Sequence, residues 1–453
     1  MLENNMITGF IIIIAVLALG SLFARLPIVR RYYIPGSLFA GFILLALSPQ
    51  IAGKYFPDWQ LSPELYELWN VLPGQLINVV FACLFLASTT LPIKHIWKLA
   101  APQAAFGQMI AWGQFALGGV VTMFILIPLF SANPLVASLI EISFEGGHGT
   151  ASGLVGVFDK LGFSVGHEMA VGLATLSLNV ALISGIIAVN WGRKRGYVKS
   201  VDHKSLAQMV YHRRIIYELH KKGITLRQHL TPLRVLSHLA LVALAVLFGW
   251  LIYQCLVAIE NLTWGQSGTV IFGYLPLFTL CMFGGIFARM VWRKLGIAIS
   301  RPIVELISAI SLSILIATAI GTMSVGYFST HLGIFLILAA TGVIWIVLAF
   351  ILFAPHMFKN NWFQNGIVNA AQSMGQTATG LLFVKMADPK DKTNALESFG
   401  YKQLLFEPFV GGGIITALSM PAIIFLGLPT YTIIASVVCL TWLILGVVFF
   451  KKM

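Results

Sequence analysis

Two polar, glycine-dense stretches hold the residues of this chain that could bind a small ligand. The first contains Gly146-Gly147-His148-Gly149-Thr150, and the second runs N-A-A-Q-S-M-G-Q-T-A-T-G-L from Asn369 to Leu381. Glycine lets the backbone approach a ligand closely, and a helix that begins after such a tip presents free N–H groups. We therefore expect the first tip, Gly146 to Thr150, to attract a carboxylate.

The second stretch is expected to supply oxygen ligands. Its candidate binding residues are Ser373, Gly375, Gln376, Thr377 and Thr379. Unwound carbonyls from Met374 to Gln376 could coordinate a hard cation such as sodium, so an anion and a cation would bind side by side. Alternatively, the hydroxyls bond back to their own helix and the glycines permit close helix crossing. The presence of two such stretches in one chain favours the binding interpretation.

Two acidic residues precede the first tip. Glu141 and Glu145 are four residues apart, so on a helix they share a face. We treat them as candidate coupling carboxylates for a proton or a cation, because ionisable groups within a membrane are commonly functional. The alternatives are that burial keeps each carboxyl neutral or that it reaches water. His148 either hydrogen-bonds the substrate or holds the tip together.

Composition predicts the setting of these stretches. The chain has 453 residues, of which 58% are hydrophobic and 10% charged, a balance typical of an all-α polytopic membrane protein. The formal net charge is +13, but eleven Lys/Arg and two acids fall between Arg193 and Arg234. That concentration predicts a basic cytoplasmic linker and does not indicate nucleic-acid binding.

Apolar runs of about 20 residues are long enough to cross a bilayer as helix. The runs predict membrane helices near residues 6–24, 36–52, 71–91, 103–130, 168–191, 234–259, 270–288, 303–324, 332–355, 404–426 and 430–450. The basic residues between them place the N-terminus outside and the C-terminus in the cytoplasm. In this topology Lys385, Lys390, Lys392 and Lys402 mark a cytoplasmic loop, and Glu407 lies at an interfacial helix end.

The two polar stretches cannot be full spans in this topology. Segments 134–166 and 364–386 each begin and end on one side of the membrane, and the arms of the first are about ten residues long, near half a bilayer. We therefore predict two re-entrant hairpins that enter from opposite sides. Five helices and a hairpin in each half form an inverted-topology repeat, which is typical of secondary transporters.

The predicted organisation has four parts. Residues 1–192 form the first repeat, 193–233 the basic linker, 234–427 the inverted second repeat, and 428–453 an additional C-terminal helix.

The motifs G-G-H-G-T-A-S-G and G-Q-T-A-T-G resemble those of the bacterial sodium/glutamate symporters. The resemblance implies a dimeric, elevator-type carrier in the bacterial inner membrane that moves glutamate, or a related amino or carboxylic acid, with sodium. It implies no cofactor beyond the coupling ion, and it implies no enzymatic activity. By position, the resemblance assigns the site to Gly146–Thr150 and to Gly375, Gln376, Thr377 and Thr379.

Other functions remain open at this stage. Glu141 and Glu145 stand where that family usually has small neutral residues, which leaves a proton-coupled carrier of a different substrate as an alternative. An intramembrane enzyme could use His148 and Glu145 as an acid–base pair, but no nucleophile or metal cluster joins them. A channel is disfavoured by two opposed hairpins, and the absence of a phosphate-binding loop argues against direct ATP coupling.

Overall fold

The computed structural model describes residues 2–26, 35–56, 62–86, 93–198, 231–267, 271–388 and 392–450. Residues 199–230, which form most of the basic linker, and Lys390 lie outside the described residues. All regular secondary structure in the described ranges is helical, which confirms the all-α prediction.

Seventeen helices of six or more residues lie in the described ranges. They are α1 Leu2–Phe23, α2 Gly36–Ala46, α3 Pro63–Leu86, α4 Ile93–Val121, α5 Leu139–Phe144, α6 Gly147–Gly153, α7 Val155–Lys160, α8 Ser164–Lys194, α9 Pro232–Leu262, α10 Leu277–Lys294, α11 Arg301–Gly321, α12 Val325–Leu348, α13 Trp362–Met374, α14 Thr377–Ala387, α15 Ala395–Phe406, α16 Ile414–Leu426 and α17 Leu428–Val448.

Within the described ranges, seven helices are long and apolar enough to cross a membrane. They are Pro63–Leu86, Ala100–Phe130, Ser164–Lys194, Pro232–Leu262, Arg301–Gly321, His331–Met357 and Leu428–Val448. Some predicted spans are shorter than expected. Helix α2 has 11 residues and ends at Ala46, where we expected a helix to residue 52. Helix α10 begins after Pro276, whose extended ψ of 146° interrupts the single helix expected over residues 270–288.

The prediction of a single helix over residues 404–426 is wrong, because the helix is interrupted between α15 and α16. Pro408 cannot donate a backbone hydrogen bond, and Gly411 and Gly412 have φ angles of 72° and 107° that favour glycine. The loop closes on itself through the amide of Ile414, which donates to the Pro408 carbonyl at 3.0 Å. We call residues 407–413 the third break.

A repeated feature precedes each of the two polar stretches. Helix α4 continues through a π-helical turn at Thr122–Leu126 to Phe130, and α12 continues through one at Ala349–Phe353 to Met357. Each π turn is followed by a proline-containing helical turn and then by a non-glycine residue with a φ of 51°, Ser131 or Asn361. A broken helical segment comes next in both places.

The two broken segments lie against two long helices, α8 and α4. Helix α8 packs on α5, α6, α13 and α14, and α4 packs on α5, α13 and α15. Outer helices expose apolar side chains, such as Ile11 of α1, Leu247 of α9 and Ile444 of α17, as expected for contact with lipid. The polar stretches are therefore held inside the protein by long apolar helices.

Candidate functional site

The two polar stretches meet at their breaks. The first break, Glu145–Gly146, separates α5 from α6, and the second, Gly375–Gln376, separates α13 from α14. Gly147 has a φ of 68°, and a Cβ built there would stand 3.5 Å from the Gly375 carbonyl oxygen and 4.0 Å from Gln376 Cγ. Gly147, Gly375 and Gln376 are thus brought together, although more than two hundred residues of chain separate the two breaks.

The rest of the first tip packs closely on its surroundings. A Cβ on Gly149 would stand 2.5 Å from Ile77 Cδ1 of α3, and one on Gly146 would stand 2.6 Å from the Ile142 carbonyl oxygen. Thr150 lies beside the third break, since a Cβ on Gly412 would stand 2.5 Å from Thr150 Oγ1. These contacts explain small residues at Gly146 and Gly149 by packing, independently of ligand binding.

Glu141 faces the third break and not the second tip. Its Oε1 accepts from the amide of Gly411 at 2.9 Å and from Thr416 Oγ1 at 2.7 Å. The Thr416 hydroxyl in turn accepts from the amide of Gly412 at 3.2 Å. The side chain of Glu141 is fully buried, so these donors fix one side of its carboxylate.

Glu145 joins the first tip to the second stretch through a chain of polar side chains. Gln372 Nε2 donates to Glu145 Oε1 at 2.6 Å, and Lys402 Nζ donates to Gln372 Oε1 at 2.9 Å. Lys402 Nζ also donates to Gln403 Oε1 at 2.8 Å, and Gln403 Nε2 donates to Glu407 Oε1 at 2.8 Å. We call Glu145–Gln372–Lys402–Gln403–Glu407 the Lys402 chain.

One member of this chain, Lys402, contradicts the sequence-based assignment. Lys402 is not a cytoplasmic loop residue, because it lies in α15 with 0% of its surface exposed. A Cβ on Gly107 of α4 would stand 2.6 Å from Lys402 Cε, so α4 packs directly on the lysine stem. Glu407 is half-buried and bonds to Gln403 and to Thr377 Oγ1, which donates at 3.2 Å. A basic residue can be buried this way when hydrogen-bonding partners replace water.

The second tip contributes both side chains and backbone to the site. Thr377 Oγ1 accepts from Gln403 Nε2 at 2.9 Å, and the Ser373 carbonyl accepts from Gln114 Nε2 at 3.4 Å. The Gln376 carbonyl accepts from the amides of Thr379 and Gly380 at 2.8 and 3.1 Å, so it is used within the first turn of α14. Thr379 is buried against Gly375 of its own segment.

His148 hydrogen-bonds to α8. Its Nε2 lies 2.9 Å from Thr175 Oγ1 of α8, and that hydroxyl donates to the Val171 carbonyl at 2.9 Å. Because the hydroxyl proton is used on Val171, we assign the imidazole proton to Nε2, where it is donated to Thr175. Thr175 and Asn179 also line an open, mostly apolar groove of about 390 Å³ between α8 and α12. This geometry gives His148 a role in holding the tip to α8.

Several buried oxygens in the described residues have no hydrogen-bond partner. They include Glu141 Oε2, Glu145 Oε2 and Thr150 Oγ1. The Ser373 hydroxyl lies beside the Glu145 carboxylate without hydrogen-bond geometry. Buried polar atoms normally have hydrogen-bond partners. A group of buried oxygens without partners, beside an interrupted helix, is therefore where a ligand would supply the missing bonds.

Sequence reasoning missed the amides of α4 and α13 that support the site. Gln103 Oε1 of α4 accepts from Asn369 Nδ2 at 2.9 Å, and Gln103 Nε2 donates to Asn365 Oδ1 at 2.7 Å. Gln114 lies on the same helix, eleven residues further on, and is fully buried. The available signal was the spacing of polar residues along an otherwise apolar helix.

Comparison with known proteins identifies the family. A model of the sodium/glutamate symporter family matches residues 2–381, which include both facing breaks and end before α15. No match was found among curated proteins or among solved structures. The chain therefore belongs to the sodium/glutamate symporter family, a family of membrane transporters that couple glutamate to sodium, and it is not an enzyme.

Proposed function

We propose that this protein carries glutamate, or a related amino or carboxylic acid, together with sodium, and that both bind where the first and second breaks meet. One observation carries the proposal: Glu145, at the first break, and Glu141, one turn before it, each hold a buried carboxylate oxygen without a hydrogen bond. Unpaired carboxylate oxygens inside a protein are costly unless a cation or a donor completes them.

The charges around the breaks support cation coupling. Glu141, Glu145 and Glu407 surround the site with carboxylates, and Lys402 supplies a single ammonium among the side chains of the Lys402 chain. An anionic substrate entering this region would be repelled unless cations entered with it. Coupling to sodium removes that repulsion, because a sodium ion that binds with the substrate neutralises one negative charge.

We assign the substrate carboxylate to the backbone N–H groups of the first tip, Gly146 to Thr150. The Gly146 N–H is less suited than the others, since it donates to the Glu141 carbonyl at 3.0 Å. Sodium is assigned to the carbonyls of Met374 and Gly375 together with the nearby oxygens of Ser373 and Glu145. The Gln376 carbonyl is less suited, since it accepts from two amides of α14. Thr377 and Thr379 then orient the second tip around the ion, and His148 anchors the first tip to α8.

The finer architecture is also a proposal. We infer that segments 134–166 and 364–386 are re-entrant hairpins of an inverted repeat, and the matching π turns at Thr122–Leu126 and Ala349–Phe353 support that inference. The parts are 1–192, 193–233, 234–427 and 428–453. The protein works as a homodimeric elevator in the bacterial inner membrane, with its N-terminus outside and its C-terminus in the cytoplasm. Labelling of single cysteines placed in successive loops tests this topology.

A second candidate is a proton-coupled carrier of a different substrate. The burial of Glu141 and Glu145 favours it, because carboxyls at membrane depth can carry protons. Uptake driven by a pH gradient without sodium would support this candidate against sodium symport.

Counterflow of labelled glutamate into proteoliposomes tests the proposal. Proteoliposomes of the purified protein are loaded with unlabelled glutamate, and entry of labelled glutamate is followed in sodium and in choline media. We expect label to accumulate in sodium and not in choline. Glu305→Gln is a matched control, because Glu305 pairs with Arg301 of its own helix at 2.6 Å. If no amino or carboxylic acid exchanges under any cation, the carrier proposal is wrong.

A further inference from the structure

The Lys402 ammonium lies between two carboxylates without touching either of them. On each side an amide intervenes, Gln372 towards Glu145 and Gln403 towards Glu407. Both amides are turned the same way, with the oxygen towards the ammonium and the nitrogen towards the carboxylate. A positive charge at Nζ therefore polarises both amides in the direction that stabilises both carboxylates.

The ammonium is satisfied without water. Two of its N–H donors go to Gln372 Oε1 and Gln403 Oε1 at 2.9 and 2.8 Å. Its remaining face lies 3.5 Å from the centroid of the Phe406 ring, a cation–π distance. The side chain is fully buried and α4 packs on its stem at Gly107, so the charge is fixed in place.

The Lys402 ammonium is linked to both the first and the second break. Glu145 ends the first tip's leading arm, Gln372 lies on α13 just before the second break, and Thr377 at the start of α14 joins Gln403 and Glu407. The Lys402 chain thus connects both breaks to α15. Lys402 and Glu407 lie beyond residues 2–381, the part of the chain that the family model matches.

We propose that Lys402 is a built-in cation that takes the place of one coupling ion, so that the carrier needs one fewer external cation per substrate than its carboxylates alone would require. This inference rests on the proposed transport function. The charged groups around it are Glu145 from the first stretch, Glu407 from the end of α15, and Glu141 one turn before Glu145. Removal of the ammonium leaves the same carboxylates short of one positive charge, which one more sodium ion must then supply.

The test compares the net charge moved per glutamate in wild-type and Lys402→Met proteoliposomes, obtained from reversal potentials under known ion gradients. Methionine keeps an unbranched side chain, one atom shorter, and removes the charge. We expect the variant to move one more positive charge per glutamate than wild type. Lys402→Arg keeps the charge and should retain the wild-type ratio. The double variant Lys402→Met/Glu407→Gln removes one positive and one negative charge, and it should also show the wild-type ratio of charge to glutamate.

A binding measurement covers the case in which Lys402→Met folds without transporting. The apparent melting temperature of purified protein is followed against sodium concentration, with choline holding ionic strength constant, because a ligand of the folded state raises it. A steeper dependence in Lys402→Met than in wild type supports the built-in cation. Should Lys402→Met itself not fold, the neutral double variant is expected to fold.

The inference is overturned if Lys402→Met transports with an unchanged charge ratio, if its melting temperature depends on sodium as the wild type's does, or if Lys402→Arg folds while the neutral double variant does not. Failure of the proposed function looks different. In that case wild-type protein itself would show no sodium-dependent glutamate transport.

Discussion

The carbonyl oxygen of Gly375 faces Gly147, 3.5 Å from the point where a Cβ on Gly147 would stand. That distance is ordinary van der Waals contact, so space alone does not require glycine at residue 147. The φ of 68° does, because L-residues other than glycine are strained in the left-handed region. The meeting of the two breaks therefore depends on backbone conformation more than on steric room.

Gly147→Ala should destabilise the protein by about 1–2 kcal/mol, the usual cost of placing a Cβ in a left-handed conformation. Thermal unfolding in detergent at fixed sodium and glutamate measures the change. We also expect slower glutamate uptake, since a shifted tip changes the spacing to Gly375.

Gly156→Ala is the matched control for this substitution. Gly156 lies in α7, is exposed, and would bring its Cβ within 4 Å of nothing. Alanine there should be neutral or slightly stabilising, because it is the better helix former. Equal losses of stability in Gly147→Ala and Gly156→Ala would show that the backbone of the tip is not strained as described.

Glu145→Gln should change how uptake depends on cations. The substitution keeps the shape of the side chain and an oxygen for Gln372 Nε2, which now donates to Glu145 Oε1 at 2.6 Å, but removes a negative charge next to the breaks. With less charge to neutralise, we expect a shallower sodium dependence or a changed pH dependence of initial uptake rates. Glu305→Gln serves as the control with an intact site. An unchanged profile in well-expressed Glu145→Gln would assign Glu145 a structural role only.

Thr416→Val tests how strongly the third break holds Glu141. The change removes the Thr416 hydroxyl, a buried donor at 2.7 Å from Glu141 Oε1. Of the two donors to that oxygen, only the Gly411 amide then remains. Loss of a buried partner of a carboxylate costs about 1–3 kcal/mol, which thermal unfolding should show. Thr441→Val is the control, because Thr441 is exposed and donates to Val437 of its own helix. A Thr416→Val protein as stable as this control would refute the contact.

Gly412→Ala should disrupt the third break severely. A Cβ there would stand 2.5 Å from Thr150 Oγ1 and 2.7 Å from Phe81 Cζ, at a φ of 107°. Strain and overpacking together should cost more than about 2 kcal/mol and lower the yield of folded protein in size-exclusion chromatography. Gly400→Ala in α15 has open space around its Cβ and should fold normally. Normal folding of both variants would contradict this geometry.

The sequence predicted the all-α membrane class and both facing breaks because the local signal was strong. Glycines and polar residues in Gly146–Thr150 and Ser373–Thr379 contrast with the apolar runs around them, and that contrast needs no tertiary information. The third break was missed for the opposite reason. Its flanks are apolar over a length close to one span, and the proline and glycines at residues 408 and 411–413 were outweighed by that hydrophobicity.

Lys402 was misassigned because charge counting treats every lysine between predicted helices as a loop residue. Burial of a charge depends on partners that are distant in sequence, here Gln372 and Gln403, and on the close approach of Gly107. The direction of His148 towards Thr175 likewise depends on where α8 packs. None of these relationships has a local pattern that hydropathy or periodicity could detect.

Simultaneous uptake of radiolabelled sodium and radiolabelled glutamate into proteoliposomes of the purified protein tests the central claim most directly. We predict that each label enters faster when the other solute is present outside, and that glutamate accumulates above its external concentration while an inward sodium gradient lasts. Glutamate accumulation that is unaffected by removal of sodium, or sodium entry that is unaffected by glutamate, would contradict sodium-coupled transport by this protein.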